Sequence, residues 1–147
     1  MAKGPLSGVK VLEYCSFIAG PYCTKLLADL GAEVIKVEKP EGDVARKHGP
    51  FLHNEPNPEC SSVFLYNNTN KMGVTLNLES PTGREIFKKL AAQADILLED
   101  GAPGEMKRLG LDYEVLREIN PGLIMASITP FGQDGPYRDY KCYDLNM

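Results

Sequence analysis

Residues 9–38, VKVLEYCSFIAGPYCTKLLADLGAEVIKVE, constrain the fold more than any other part of the chain. Val9 to Tyr14 is apolar and partly β-branched, the pattern of a buried strand. A turn over Ser16–Pro21 follows. Pro21 suits the first turn of a helix, where its missing N–H is not needed. From Tyr22 to Leu30, Cys23, Leu26, Leu27 and Leu30 recur at helical spacing and predict one buried face. Gly31 suits the left-handed residue that ends a helix. Glu33 to Glu38 alternates and predicts a second strand. Two strands joined through a helix imply a parallel pair.

The rest of the chain repeats this grammar. Lys39 to Cys60 is rich in Pro and Gly, holds both histidines, and predicts a long irregular excursion. Ser61 to Tyr66 is apolar but too short to assign. Gly73–Leu78 alternates as a third strand. Ser80 and Pro81 are suited to open a helix that runs to about Gln93, with Ile86, Phe87, Leu90 and Ala94 as its buried stripe. Ile96–Leu98 is a short strand, and Glu105–Leu109 a single helical turn stopped by Gly110. Asp112 caps a helix over Tyr113–Ile119, ended by Asn120-Pro121, and Leu123–Thr129 is the fifth strand. With right-handed crossovers this order predicts an α/β fold: one domain over residues 1–147 with a Rossmann-like, doubly wound parallel sheet.

Composition narrows the class. At 147 residues, 43% hydrophobic and 24% charged, the chain has enough apolar surface for a core. A net charge of −4 leaves no electrostatic footprint for nucleic acid. No run approaches the ~20 apolar residues of a membrane span, and MAKGPLSG lacks the apolar core of a signal peptide. The expectation is a cytoplasmic protein, with Cys15, Cys23, Cys60 and Cys142 reduced. Cys15 and Cys23 read as core thiols. His48, His53 and Cys60 have irregular spacing and no fourth ligand, so no metal site is expected.

Ligands of open parallel sheets bind beyond the carboxyl ends of the strands. The loops leaving those ends are Cys15–Pro21, Lys39 onward, Asn77–Pro81, Glu99–Gly104 and Pro130–Pro136, and they are expected to gather along one edge. The first offers only Gly20, not the G-x-G-x-x-G of a dinucleotide site. Glu38 stands where such a site has its ribose-binding acid, but an acid there is more often a polar strand end. Lys39, Arg46, Lys47, Lys71, Lys107 and Arg108 lie in or beside these loops and are candidates for phosphate contacts.

Several stretches together resemble a known family. They are LSGVKVLEY, the Ala19-Gly20-Pro21 turn, LADLGAEVIKVEKPEGD, the N-x-N-K of Asn68–Lys71, VTLNLES, ADILLED, Arg108–Leu111, NPGLIMASITPFGQDGPY and the final YDL. In that order they are similar to the N-terminal part of the large domain of family III CoA-transferases, the formyl-CoA and carnitine CoA-transferase group. The resemblance implies a transferase that moves CoA from an acyl-CoA donor to a small carboxylic acid. It uses an aspartate carboxylate that becomes an aspartyl-CoA thioester. CoA is then a substrate, no cofactor is tightly bound, and two chains interlock as a homodimer.

The resemblance places CoA contacts at Ile18, Ala19, Lys39, Leu76, Arg108, Lys141 and Tyr143, with Lys39 replacing an arginine. The Ala19-Gly20-Pro21 turn is expected to let backbone approach the cofactor. The family's ENF-type stretch reads Glu99-Asp100-Gly101 here, so the backbone of Asp100, Gly101 and Ala102 carries the expected contact. The family's nucleophilic aspartate aligns past Met147, so residues 1–147 are expected to contain no catalytic residue and to be inactive alone. An α-methylacyl-CoA racemase shares the fold. It has a histidine where Tyr143 stands, and tyrosine is a poor base at neutral pH. A non-catalytic CoA- or nucleotide-binding module is the third reading.

Overall fold

A computed structural model describes residues 4–142. Strand β1 (Lys10–Tyr14) leads through helix α1 (Ala19–Asp29) to β2 (Glu33–Glu38). Three short 3₁₀ turns follow, then α2 (Ser62–Asn67), β3 (Met72–Thr75), α3 (Pro81–Ala91), β4 (Ile96–Glu99), α4 (Glu105–Leu109), α5 (Tyr113–Ile119) and β5 (Ile124–Ser127). The five strands form one sheet in the order β3-β2-β1-β4-β5, every pair parallel. The order reverses direction between β1 and β4, which makes their carboxyl ends the switch point of the sheet. Among the described residues no helix is long and apolar enough to cross a membrane.

The predicted caps form. Ser80 Oγ accepts from the Gly83 N–H, and Asp112 from the Val115 N–H, so each satisfies a donor that its helix leaves open. One core lies under α3, α4 and α5 and contains Leu12, Val37, Phe87, Leu97, Leu111 and Leu116. The other, beneath α1, contains Val11, Cys15, Ala28, Val34 and Leu98.

Several expectations are corrected. The first helix begins at Ala19, three residues before Tyr22, and buries Gly20, Pro21, Thr24 and Ala28. Leu26 and Leu30 are instead exposed, as is Cys23, so Cys15 alone of the predicted pair is a core thiol. Helical spacing defines a stripe but not which side meets the sheet. Here the small residues do, because α1 sits close: a Cβ on Gly20 would lie 2.4 Å from the Cys15 side chain. Gly20 thus serves helix–strand contact, and its missing side chain faces protein, not a ligand. Ile86 also falls outside the buried stripe of its helix. β3 is Met72–Thr75, with Leu76 and Leu78 entering the core beyond it. The stretch over residues 61–66 is helical, capped by Ser61.

Candidate functional site

The carboxyl ends of β1, β2 and β4 surround a cleft of about 280 Å³. Its walls include Tyr14, Ser16, Lys39, Asp43, Asp100, Gly101, Ala102 and Glu105. The position follows from topology: β1 and β4 are neighbours whose chains leave the sheet in opposite senses, so their loops part and leave a crevice. The loops after β1, β2 and β4 meet there as expected. The loop over residues 77–81 contributes Glu79 to an adjoining groove with Lys39 and Arg108. Gln133 and Asp134 line a separate hollow beside β5.

The cleft is rich in carboxylates. Among the described residues, Glu38, Asp43, Asp100 and Glu105 line it against a single cation, Lys39. Burial pushes the Asp100 carboxyl up to about 6, although the Ser16 N–H, donating to its Oδ2 at 2.7 Å, works the other way. The Phe17 N–H donates to Asp43 Oδ1 at 2.9 Å. The two amides at the start of the first loop are therefore already satisfied by side chains. They are not open as the phosphate cradle that a strand–turn–helix unit can provide.

Glu38 is likewise engaged. Its Oε2 and Oε1 accept from Arg46 Nε and Nη2 at 2.7 and 2.9 Å. Burial opposes its charge, but Arg46 and the Asp43 N–H hold its carboxyl below the usual range. The bidentate clamp fixes the loop after β2 and occupies the acid that would bind a ribose in a dinucleotide site.

Beneath the cleft lies a charge network that the sequence reading did not anticipate. Lys36 sits on β2 and is 2% exposed, and Glu13 on β1 is fully buried. Lys36 Nζ lies 2.8 Å from both Glu13 Oε1 and Asp43 Oδ2, and donates to the Cys15 carbonyl at 2.9 Å. Glu13 Oε2 accepts from the Thr24 hydroxyl at 2.6 Å and pairs with Lys71 Nζ at 2.8 Å. Lys71 also donates to the Pro21 carbonyl and to Asn68 Oδ1. Two buried cations thus face two buried anions, the only arrangement in which burial of such charge is tolerable. Burial works against the charge on Lys36, but Glu13 and Asp43 outweigh it and its pKa rises. For Lys71 burial prevails and the pKa falls.

The expected contact residues scatter accordingly. Asp100, Gly101, Ala102 and Lys39 line the cleft. Lys39 is 58% exposed on its side chain, lies 3.4 Å from Glu105 and 5.8 Å from the centre of the Tyr14 ring. Arg108 stands on the adjoining groove and is paired with Glu79 at 2.6 Å. Ala19 is exposed at the start of α1. Ile18 belongs to a shallow apolar hollow with Tyr22, Val63 and Tyr66. The Leu76 side chain is buried in the main core and does not line the cleft. Lys141 is exposed, and Tyr143 lies outside the described residues. Of the predicted phosphate-facing cations, Lys71 and Arg46 are instead committed to Glu13 and Glu38. His48 packs its ring against Phe17 at 4.9 Å, and among the described residues no group of three or more His, Cys, Asp or Glu has the geometry of a metal site.

Comparison with known proteins gives this geometry a context. The family model of CoA-transferase family III matches residues 6–147. The succinate–glutarate CoA-transferase of Agrobacterium fabrum is 43% identical over 145 residues, covering 97% of this chain and 36% of its own length. The human succinyl-CoA:glutarate CoA-transferase is 44% identical over 142 residues, covering 95% and 31%. Among solved structures, a CaiB/BaiF family protein from Brucella suis superposes with a TM-score of 0.88 at 42% identity, over 97% of this chain and 38% of that one. The Mycobacterium tuberculosis protein Rv3272 gives 0.89 at 40% identity, over 97% and 39%. The chain spans about a third of the length of the relatives it matches. A match over nearly every residue, joined to the same parallel sheet, places the chain in CoA-transferase family III.

Proposed function

We propose that this chain supplies the CoA-binding wall of an enzyme that moves CoA between an acyl-CoA and a small carboxylic acid. The observation that carries the reading is the cleft at the β1/β4 switch point, where Asp100, Gly101, Ala102 and Lys39 converge in a member of this family. Lys39 on its rim and Arg108 on the adjoining groove are exposed, and their ion pairs with Glu105 and Glu79 lie near the surface, so both can exchange a carboxylate for a phosphate at little cost. The relatives' names support the reaction class, since they pair succinyl-CoA or succinate with a second acid. The nucleophile is an aspartate outside residues 1–147: its carboxylate attacks the thioester carbonyl and expels CoA thiolate to give a mixed anhydride, and the thiolate then attacks the aspartyl carbonyl, releasing the donor acid and leaving an aspartyl-CoA thioester. The enzyme works in the cytoplasm as an interlocked homodimer, as the family resemblance implies.

The test is a transfer assay. The intact protein, given succinyl-CoA and a panel of mono- and dicarboxylates, is expected to form a new acyl-CoA, seen by chromatography and mass. Residues 1–147 alone are expected to give none. Turnover by residues 1–147 would overturn the assignment of the nucleophile. Failure of the intact protein to bind CoA would overturn the cleft.

A further inference from the structure

The loop over residues 15–19, whose Cys15 and Ser16 form the first wall of the cleft, contains next to that wall a backbone that a free peptide would not adopt. Phe17 has φ of +65°, the left-handed region that a bulky residue enters only when its surroundings impose it. Three side chains from three other parts of the chain hold that wall. Asp100 takes the Ser16 N–H, Lys36 binds the Cys15 carbonyl, and Asp43 takes the Phe17 N–H.

Asp43 is the centre of this arrangement. It is 4% exposed and lines the cleft. Its Oδ1 accepts from both Phe17 and Ala45, the latter at 2.8 Å as the cap of the first 3₁₀ turn. Its Oδ2 is buried without a hydrogen bond of good angle and rests on the charge of Lys36 at 2.8 Å. Its own N–H is taken by Glu38 Oε2. Capping Ala45 alone requires no buried charge, since a serine caps equally well. The feature that needs a carboxylate is the reach from the loop after β2 to Phe17 on one side and Lys36 on the other.

We propose that Asp43 is a positioning residue for the cleft: it fixes the left-handed Phe17 and so presets the wall against which CoA lies, with Lys36 as its counter-charge. The inference rests on the CoA reading for its ligand but not for its geometry. Asp43 touches the loop and is assigned no contact with the reacting atoms. Without it, the Phe17 N–H and the Lys36 ammonium both lose a buried partner, and the strained loop relaxes towards ordinary backbone.

The experiment compares Asp43→Asn with wild type in the intact protein. Asparagine keeps an acceptor for Phe17 but removes the charge that Lys36 requires. Asp43→Ala removes both. Leu116→Val, in the opposite core under α5, serves as a control for general loss of stability. Three quantities are read: the thermal midpoint, amide exchange of the peptide covering residues 12–22 by mass spectrometry, and the Kd for CoA by calorimetry. We expect Asp43→Asn to weaken CoA binding at least tenfold and to quicken exchange in residues 12–22 at least tenfold. The control lowers the midpoint but changes neither by more than twofold. Unchanged affinity and exchange in Asp43→Asn would overturn the proposal, as would an equal loss of affinity in the control. If wild type binds no CoA, the CoA reading fails, while the exchange comparison still decides the positioning role. Asp43→Asn is the decisive variant should Asp43→Ala not fold.

Discussion

Asp100 shows how one atom changes a site. The family pattern that the chain resembles has an amide there, and this sequence has an acid, half-buried beside Ser16, Cys15 and Gly20. Its pKa is raised by burial to about 6 from a usual value near 4, so the folded state holds a proton that the unfolded chain has already released. The sign follows: stability falls as pH rises through that window, and the penalty is complete above it. Asp100→Asn keeps the acceptor for Ser16 and removes the penalty. We expect it to match wild type below about pH 4 and to exceed it by on the order of 1–3 kcal/mol above pH 7, read by urea unfolding at both values. A variant less stable than wild type at pH 7 would show that burial does not set this carboxyl. The substitution itself was legible in the sequence. Its burial was not, because β4 and the first loop are 84 residues apart where they meet.

At the scale of elements, period and caps were legible, and the orientation of helices was not. The same apolar spacing on α1 and α3 gave opposite outcomes. Phe87 on α3 is fully buried against the sheet and meets Tyr14 edge-on at 5.9 Å, as its stripe predicts. Leu26 on α1 is 45% exposed, because Gly20, Thr24 and Ala28 let the opposite side of the helix approach the strands. Spacing cannot distinguish these cases, since close approach by small residues and burial of large ones both leave a periodic trace. The expected contrast is measurable by denaturant unfolding. Phe87→Ala should cost about 3–5 kcal/mol. Leu26→Ala should cost under about 1 kcal/mol. A Leu26→Ala cost like that of Phe87→Ala would place another part of the protein over α1.

Across the whole molecule, charge is arranged by depth. Lys36 and Lys71 are locked under the sheet edge, Arg46 is clamped at the loop after β2, and Lys39 remains on the rim and Arg108 on the adjoining groove. Of these five cations the last two are the most exposed, and a carboxylate faces each. Removing the competitor of Lys39 should therefore help. Glu105→Gln is expected to tighten CoA binding about two- to fivefold at low salt, with the gain fading as salt rises. Weaker binding, measured by calorimetry at two ionic strengths, would instead make Glu105 part of the contact.

The sequence by itself determined the parallel α/β class, the caps at Ser80 and Asp112 and the family. Each of these is written in residues close together in the chain: a two-residue period, a serine before a proline, a helix between two strands. The stretch from Val9 to Glu38 carried most of it. Only the tertiary structure decided what lies under the cleft. In a strand read alone, Glu13 and Lys36 are simply its polar positions, facing water. They are buried because β1 and β2 pair in register with Glu13 beside Lys36, while Asp43, Thr24 and Lys71 arrive from three other segments. A buried charge is stable only with its partner present, and a partner brought by another segment is a property of the fold, not of any local run of residues.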